Sequence, residues 1–254
     1  MRILKSDIYI NEKLTIQPVT KDRLAYYKQP SVDEETIQFI KDNNLIWNPA
    51  TKSYDCKGNV FVSDDMVIDG KLKIRFGEVG GDFDCSHNNL TSLEGAPKKV
   101  SGYFDCRYNK LTSLEGAPQK VGGSFYCYDN NLTTLEGAPQ KVRLDFNCSR
   151  NNLTTLEGAP KKVGGYFNCT RNILTALKGA PNEVGGYFEC SRNELTSLEG
   201  APKKVGGIFN CYSNNLTSLE GAPNEVGGDF DCSDNPNLVL PKNKPSWVKG
   251  KIIR

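Results

Sequence analysis

Nine cysteines, one histidine and a recurring asparagine are the side chains of this chain that invite a chemical reading. Eight of the cysteines, Cys85, Cys106, Cys127, Cys148, Cys169, Cys190, Cys211 and Cys232, return every 21 residues. Three positions after each stands Asn88, Asn109, Asn130, Asn151, Asn172, Asn193, Asn214 or Asn235. A thiol becomes a nucleophile or a metal ligand when a neighbour holds it deprotonated, and metal sites gather their ligands at short, paired spacings. This spacing is instead that of a repeat, so the thiols read as small apolar core residues. Neighbouring copies lie on strands about 4.8 Å apart, but parallel side-chain vectors suit a disulfide poorly. Cys56 lies outside the column and has no partner motif. The single His87 adjoins the first asparagine, and no nucleophile with an orienting carboxylate can be assigned to it by spacing. A P-loop, a dinucleotide fingerprint and H-E-x-x-H are all missing from the sequence. No catalytic, cofactor or metal residue is therefore assigned.

The elements that must position these columns follow from the period. Phe83, Phe104, Phe125, Phe146, Phe167, Phe188, Phe209 and Phe230 precede the cysteines by two residues, and the register never slips. The unit reads F-x-C-x-x-N-x-L-T-x-L-x-G-A-P-x-x-V-G-G-x, with Arg143-Leu144 replacing one glycine pair. Phe and Cys at i and i+2 point to one side of a short strand. The following Leu, Leu, Ala and Val supply the other inward contacts of one coil, and Gly-Ala-Pro and Gly-Gly mark its turns. One coil cannot bury this apolar set, whereas stacked coils form a continuous core. An asparagine just past each strand can satisfy backbone groups in the bend and form a buried ladder.

The F-x-C-x-x-N-x-L core is similar to the leucine-rich-repeat pattern L-x-L-x-x-N-x-L, with Phe and Cys in place of two leucines. The chain resembles short-repeat bacterial leucine-rich-repeat proteins. It resembles still more closely the repeats encoded by tailed bacteriophages, which share the wording L-T-S-L-E-G-A-P-x-x-V-G-G-x-F-x-C of residues 90–106. The likeness covers about residues 79–240 and implies an α/β repeat solenoid dominated by β: 21-residue coils, short parallel strands on a concave face, and an irregular or 3-10 convex side. It implies a binding scaffold without naming a target. The catalytic ubiquitin-ligase domain that follows the repeats of many secreted effectors is not expected in the 19 residues after Asn235.

The organisation expected is an N-terminal cap or small α+β segment over 1–58, a degenerate first coil over 59–79, the solenoid over 80–240 and a basic C-terminal cap over 241–254. Ser31 and Glu34 fit a capping box for a helix over about 32–43. Phe76 and Val79 fall one period before Pro97 and Val100, and Trp247, Val248, Ile252 and Ile253 can cover the last coil. Lys242, Lys244, Lys249, Lys251 and Arg254 read as solvated charge before an anion-binding tail. The N-terminus has no apolar leader region and no stretch is apolar enough to span a bilayer, so the chain reads as cytoplasmic, in the host cell if phage-encoded. A formal charge of +2 among 254 residues predicts no strong global attraction to polyanions or membranes.

Function is expected where the repeat varies. The residues flanking Phe and Cys point away from the core and should line the inner surface of the stack. Acids stand there at Asp82, Asp84, Asp105, Asp145, Glu189, Asp229 and Asp231, interleaved with Tyr103, Tyr126, Tyr128, Tyr166, Tyr187 and Tyr212, with Arg107 the sole base. Stacked carboxylates repel, and tyrosine gives rigid contact area, so the set reads as a surface for a protein partner bearing a basic patch or segment. Arg150, Arg171 and Arg192 flank it, two residues after Cys. On the opposite side Glu94, Glu115, Glu136, Glu157, Glu199 and Glu220 run beside Lys99, Lys120, Lys141, Lys162 and Lys204. In one repeat both signs reverse, as Lys178 and Glu183, and the two columns are expected to neutralise each other. The leading reading is a non-catalytic interaction scaffold acting on a host or defence protein. Nucleic-acid binding or mimicry ranks second, opposed by the acidic inner face and the lack of a concentrated basic groove. An enzyme with an N-terminal site ranks third. Oligomeric state is left open.

Overall fold

The computed structural model describes residues 33–254, in which the chain winds as a solenoid with 21-residue coils and two ten-stranded ladders. The first ladder is built from the Phe strands, such as Phe146–Asn147 and Phe167–Asn168, paired in parallel with Phe opposite Phe. Each Phe and Cys N–H donates to the next coil: Phe146 N to Tyr166 O at 2.9 Å and Cys148 N to Asn168 O at 2.8 Å. The second ladder uses the strand before each glycine pair, such as Lys162–Val163 beside Glu183–Val184. The solenoid thus carries a second, equally regular ladder of two-residue strands. Its valines are drawn inward, and that alternation is enough to bring the backbones of successive coils into register.

Between the ladders the core is a set of columns. Every repeat Phe is fully buried, and the rings from Phe83 to Phe230 stack with centroids 5.1–5.7 Å apart. Edge-on rings close the column at both ends, Phe76 against Phe83 and Trp247 against Phe230. The cysteines lie beside the phenylalanines, all free and all buried, each repeat thiol but Cys106 donating to a carbonyl of the following coil. Burial pushes these thiols well up from their ordinary range. Cys56, the ninth, is buried opposite Val79 and donates to Asn43 O at 3.3 Å.

The asparagines form the expected ladder. Asn151 Oδ1 accepts from Leu132 N at 2.9 Å, while its Nδ2 donates to the carbonyls of Cys127, Cys148 and Ser149. One amide therefore ties two coils together where the chain leaves the strand. The residue before it adopts left-handed backbone in every coil, although no glycine stands there: His87, Tyr108, Asp129, Arg150, Arg171, Arg192, Ser213 and Asp234 all have φ of 51–59°. At the Gly-Ala-Pro turn, Gly158 has φ +90° and a Cβ there would collide with the backbone of Leu135 and Glu136.

Both ladders extend beyond the eight regular coils. Helix α1, Glu34–Asp42, is capped by Asp33, whose carboxylate accepts from Thr36 N at 2.8 Å; Ser31, expected to cap it, lies outside the described residues. Phe39 of α1 meets Phe76 edge-on. Ile46–Asn48 and Ser53–Cys56 form an antiparallel hairpin that begins the Val ladder, and Val60–Phe61 begins the Phe ladder. At the far end Val248 bridges Val226 and Ile252–Ile253 pairs with Phe230–Asp231. In the basic tail Lys244 donates to Lys249 O and Gly250 O, and Lys249 pairs with Glu225 at 2.6 Å.

Candidate functional site

Alternation in the Phe strands turns three columns outward: the residue before Phe, the residue between Phe and Cys, and the residue after Cys. The strand register sets the middle column side by side as Asp84, Asp105, Tyr126, Asn147, Asn168, Glu189, Asn210 and Asp231. Asp82, Tyr103, Asp145, Tyr166, Tyr187 and Asp229 belong to the first column, and Arg107, Tyr128 and Tyr212 to the third. All fourteen residues singled out in the sequence thus lie on the outer side of one ladder. Two further members join them: Phe61, which the sequence reading missed, and Ile253, which was expected to cover the last coil and is turned outward instead. Phe61 pairs with Asp84 and Ile253 with Asp231, so the middle column runs on into both end segments. Both are exposed, Phe61 at 56 %. Neither carries the Phe-x-Cys signature; the signal at Phe61 is only an apolar residue between inward ones, Val60 and Val62.

The acids have a structural task that spacing did not reveal. Asp82, Asp145 and Asp229 accept from the backbone N–H of Tyr103, Tyr166 and Lys251, one coil further on, at 2.7–3.0 Å. Asp84, Asp105 and Asp231 accept from the N–H two residues ahead, closing the strand with a side-chain turn, as Asn147, Asn168 and Asn210 also do. These carboxylates thus serve the backbone as well as standing on the outer face. Apart from Asp105, each keeps acceptor capacity for a further donor, since an ionised carboxylate has two oxygens.

The N-terminal half of the face is the more elaborate. Asp105 is almost fully buried, and desolvation pushes its carboxyl up to about 6 although Arg107 lies beside it, Nε to Oδ2 3.2 Å. Ion pairing and burial act in opposite directions here. Burial wins because the contact is not aligned as a hydrogen bond to Nε. Arg107 donates instead to Tyr128 Oη at 2.6 Å and lies 5.6 Å from that ring's centre. Tyr103 and Tyr126 rings are 6.3 Å apart. Desolvation, then the charges of Asp84 and Asp82, raise the Tyr103 phenol. Tyr166 is half-buried and pushed up to about 12, chiefly by desolvation, whereas Tyr187 is 52 % exposed.

Arg150, Arg171 and Arg192 stand on the left-handed positions beside this face, exposed and one coil apart. Arg150 approaches Asp129 at 3.6 Å and Arg192 lies over Tyr212 at 5.8 Å. The same column opens with His87 stacked on Tyr108 at 4.4 Å.

The Glu and Lys columns do not neutralise each other as expected. Ion pairs run up and down a single column instead, Glu157 to Lys178 at 3.2 Å and Lys162 to Glu183 at 2.6 Å. The sign reversal at Lys178 and Glu183 works because residues 21 apart are neighbours in the stack, while residues five apart are separated by the Gly-Ala-Pro turn.

No protein-family model matches the chain, and no curated protein matches its sequence. Among solved structures it is similar to YopM from Yersinia enterocolitica WA-314, with 19 % identity and a TM-score of 0.41 over 79 % of this chain and 54 % of that one. The chain thus spans about half the length of that protein. No helix of the described residues is long and apolar enough to cross a membrane.

Proposed function

We infer that this protein is a non-catalytic scaffold that holds a partner protein on the outer face of its Phe ladder. The observation that carries this reading is the register. Tyrosines and carboxylates from all eight regular coils are set in adjoining columns on a rigid, hydrogen-bonded sheet. Rigid aromatic side chains give contact area at low entropic cost, and carboxylates with spare acceptor capacity select a partner bearing Lys or Arg. The chain's own Arg107, beside Asp105 and donating to Tyr128, supports a face suited to a guanidinium. Phe61 adds an exposed apolar contact at the N-terminal end of the same column. Arg150, Arg171 and Arg192 would border the bound partner. The wording shared with phage-encoded repeats points to a host protein as that partner. The buried thiols support a structural rather than a nucleophilic role.

The test is capture from a host lysate by the immobilised protein, followed by identification of what is retained. Replacing Tyr166 and Tyr187 together by Ala is expected to lower recovery of the specific partner at least about tenfold, the loss of one to two hot-spot contacts. Unchanged recovery would remove this face from the reading.

A further inference from the structure

The outward side of the Val ladder carries a second charged surface whose two halves are built differently. From coil to coil one position reads Glu78, Lys99, Lys120, Lys141, Lys162, Glu183, Lys204 and Glu225, with Lys249 reaching Glu225 at the end. In the C-terminal half the signs alternate and neighbours pair: Lys162 with Glu183, Lys204 with Glu225 and Lys249 with Glu225, at 2.6–3.0 Å. In the N-terminal half four lysines stand on consecutive strands. Lys99 is in register with Lys120, Lys141 is in register with Lys162, and the pairing of Val121 with Val142 brings the two halves of that row together. Only its ends are neutralised, Lys99 by Glu78 and Lys162 by Glu183.

Like charges on directly opposed strand positions are destabilising. The same backbone, a few coils on, shows the neutral solution, so the lysine row is not imposed by the repeat. Arg143 adds a fifth exposed cation where every later coil has glycine. Leu144 aside, the next two positions around this bend are glycines and one serine, so the row rises from a surface without aromatic anchors. Protein interfaces are depleted in Lys and depend on aromatic and Arg anchors. A phosphate polymer needs neither, because its affinity comes from point charges that displace condensed counterions. The Glu column that includes Glu115 and Glu136 stands apart from the lysine row, beyond the Gly-Ala-Pro turn.

We propose that the lysine row from Lys99 to Lys162, with Arg143, binds the phosphate backbone of nucleic acid without reading its sequence. The sequence reading ranked nucleic-acid binding second for want of a concentrated basic groove; a row of lysines on consecutive strands offers a ridge in place of a groove. This surface is separate from the Phe-ladder face, so the two readings stand or fall independently.

Fluorescence anisotropy with a short mixed-sequence DNA duplex tests it. With about three phosphates neutralised by Lys120, Lys141 and Arg143, the log–log salt slope should be about −3, so affinity falls roughly fortyfold between about 50 and 200 mM salt. Replacing Lys120 and Lys141 together by Gln should reduce the slope by about 2 and weaken binding about tenfold or more at low salt. Replacing Lys204 and Lys249 by Gln, cations already paired with Glu225, should leave affinity within about twofold. The proposal is overturned if the unaltered protein does not bind duplex at low salt, or if the two double variants weaken it equally. Retention of polyglutamate without retention of duplex would also overturn it and assign the row to an acidic protein.

Discussion

At the scale of single residues, the face of the Phe ladder shows one side chain serving two ends. Asp and Asn both occupy the middle column because either one can accept from the N–H two residues ahead. What differs is charge, and Asp105 is where charge is costly. Its carboxyl is raised to about 6, first by burial, against an ordinary value of 3.8. An acid with a raised folded-state value stabilises the fold while protonated, below its unfolded value, and loses that contribution as pH rises through the folded value. Stability should therefore decline between about pH 4 and pH 6 through this group and be level above it. Asp105→Asn keeps the turn, removes the buried charge and should flatten that decline, raising stability at pH 7 by about 3 kcal/mol, less what Arg107 loses. Urea titrations across this range check it. An unchanged pH profile in the variant would place the ionisation elsewhere.

At the scale of the element, successive glycine pairs let one coil settle against the next. A Cβ at Gly185 would run into Gly164 O, and one at Gly206 into Gly185 O. Arg143-Leu144 breaks this rule, and the ladder shows the effect locally. Strand pairing there narrows to Val121 with Val142, and Leu144 N to Gly123 O lengthens to 3.3 Å, against 2.8 Å for Gly165 N to Leu144 O. Replacing both residues by Gly should stabilise the protein by about 1 kcal/mol, measured by chemical denaturation. It should also weaken duplex binding, since a ridge cation is lost. Loss of stability would instead mean that Leu144 packs usefully despite being half exposed. This pair also marks what sequence could convey. The columns of Phe, Cys and Asn were legible because a strict period leaves only one way to stack them. The backbone partners of Asp82 and Asp145, the second ladder and the direction of the ion pairs were not, since each depends on which groups the next coil presents. The outward placing of Phe61 and Ile253 escaped because end coils keep the alternation while losing the motif.

Across the whole molecule, cohesion is a sum over neighbours along one axis. A ring in mid-stack, such as Phe167, has Phe146 on one side and Phe188 on the other, at 5.4 and 5.5 Å. Phe230 has Phe209 on one side and Trp247 edge-on at 5.2 Å on the other. Trp247 in turn carries the segment in which Val248 and Ile252 continue both ladders. Truncating a buried aromatic costs about 3–5 kcal/mol, but the position along the axis decides how the loss is expressed. Phe167→Ala should divide the column in two and lower the stability of the entire protein by that amount. Trp247→Ala should release mainly the last coil, with amide exchange rising at Lys249 and Gly250 while Phe146 and Phe167 stay protected. Native-state hydrogen exchange separates these outcomes. Equal loss of protection along the chain in Trp247→Ala would mean that the coils unfold as a single unit, and that the scaffold's rigidity depends on its end as much as on its middle.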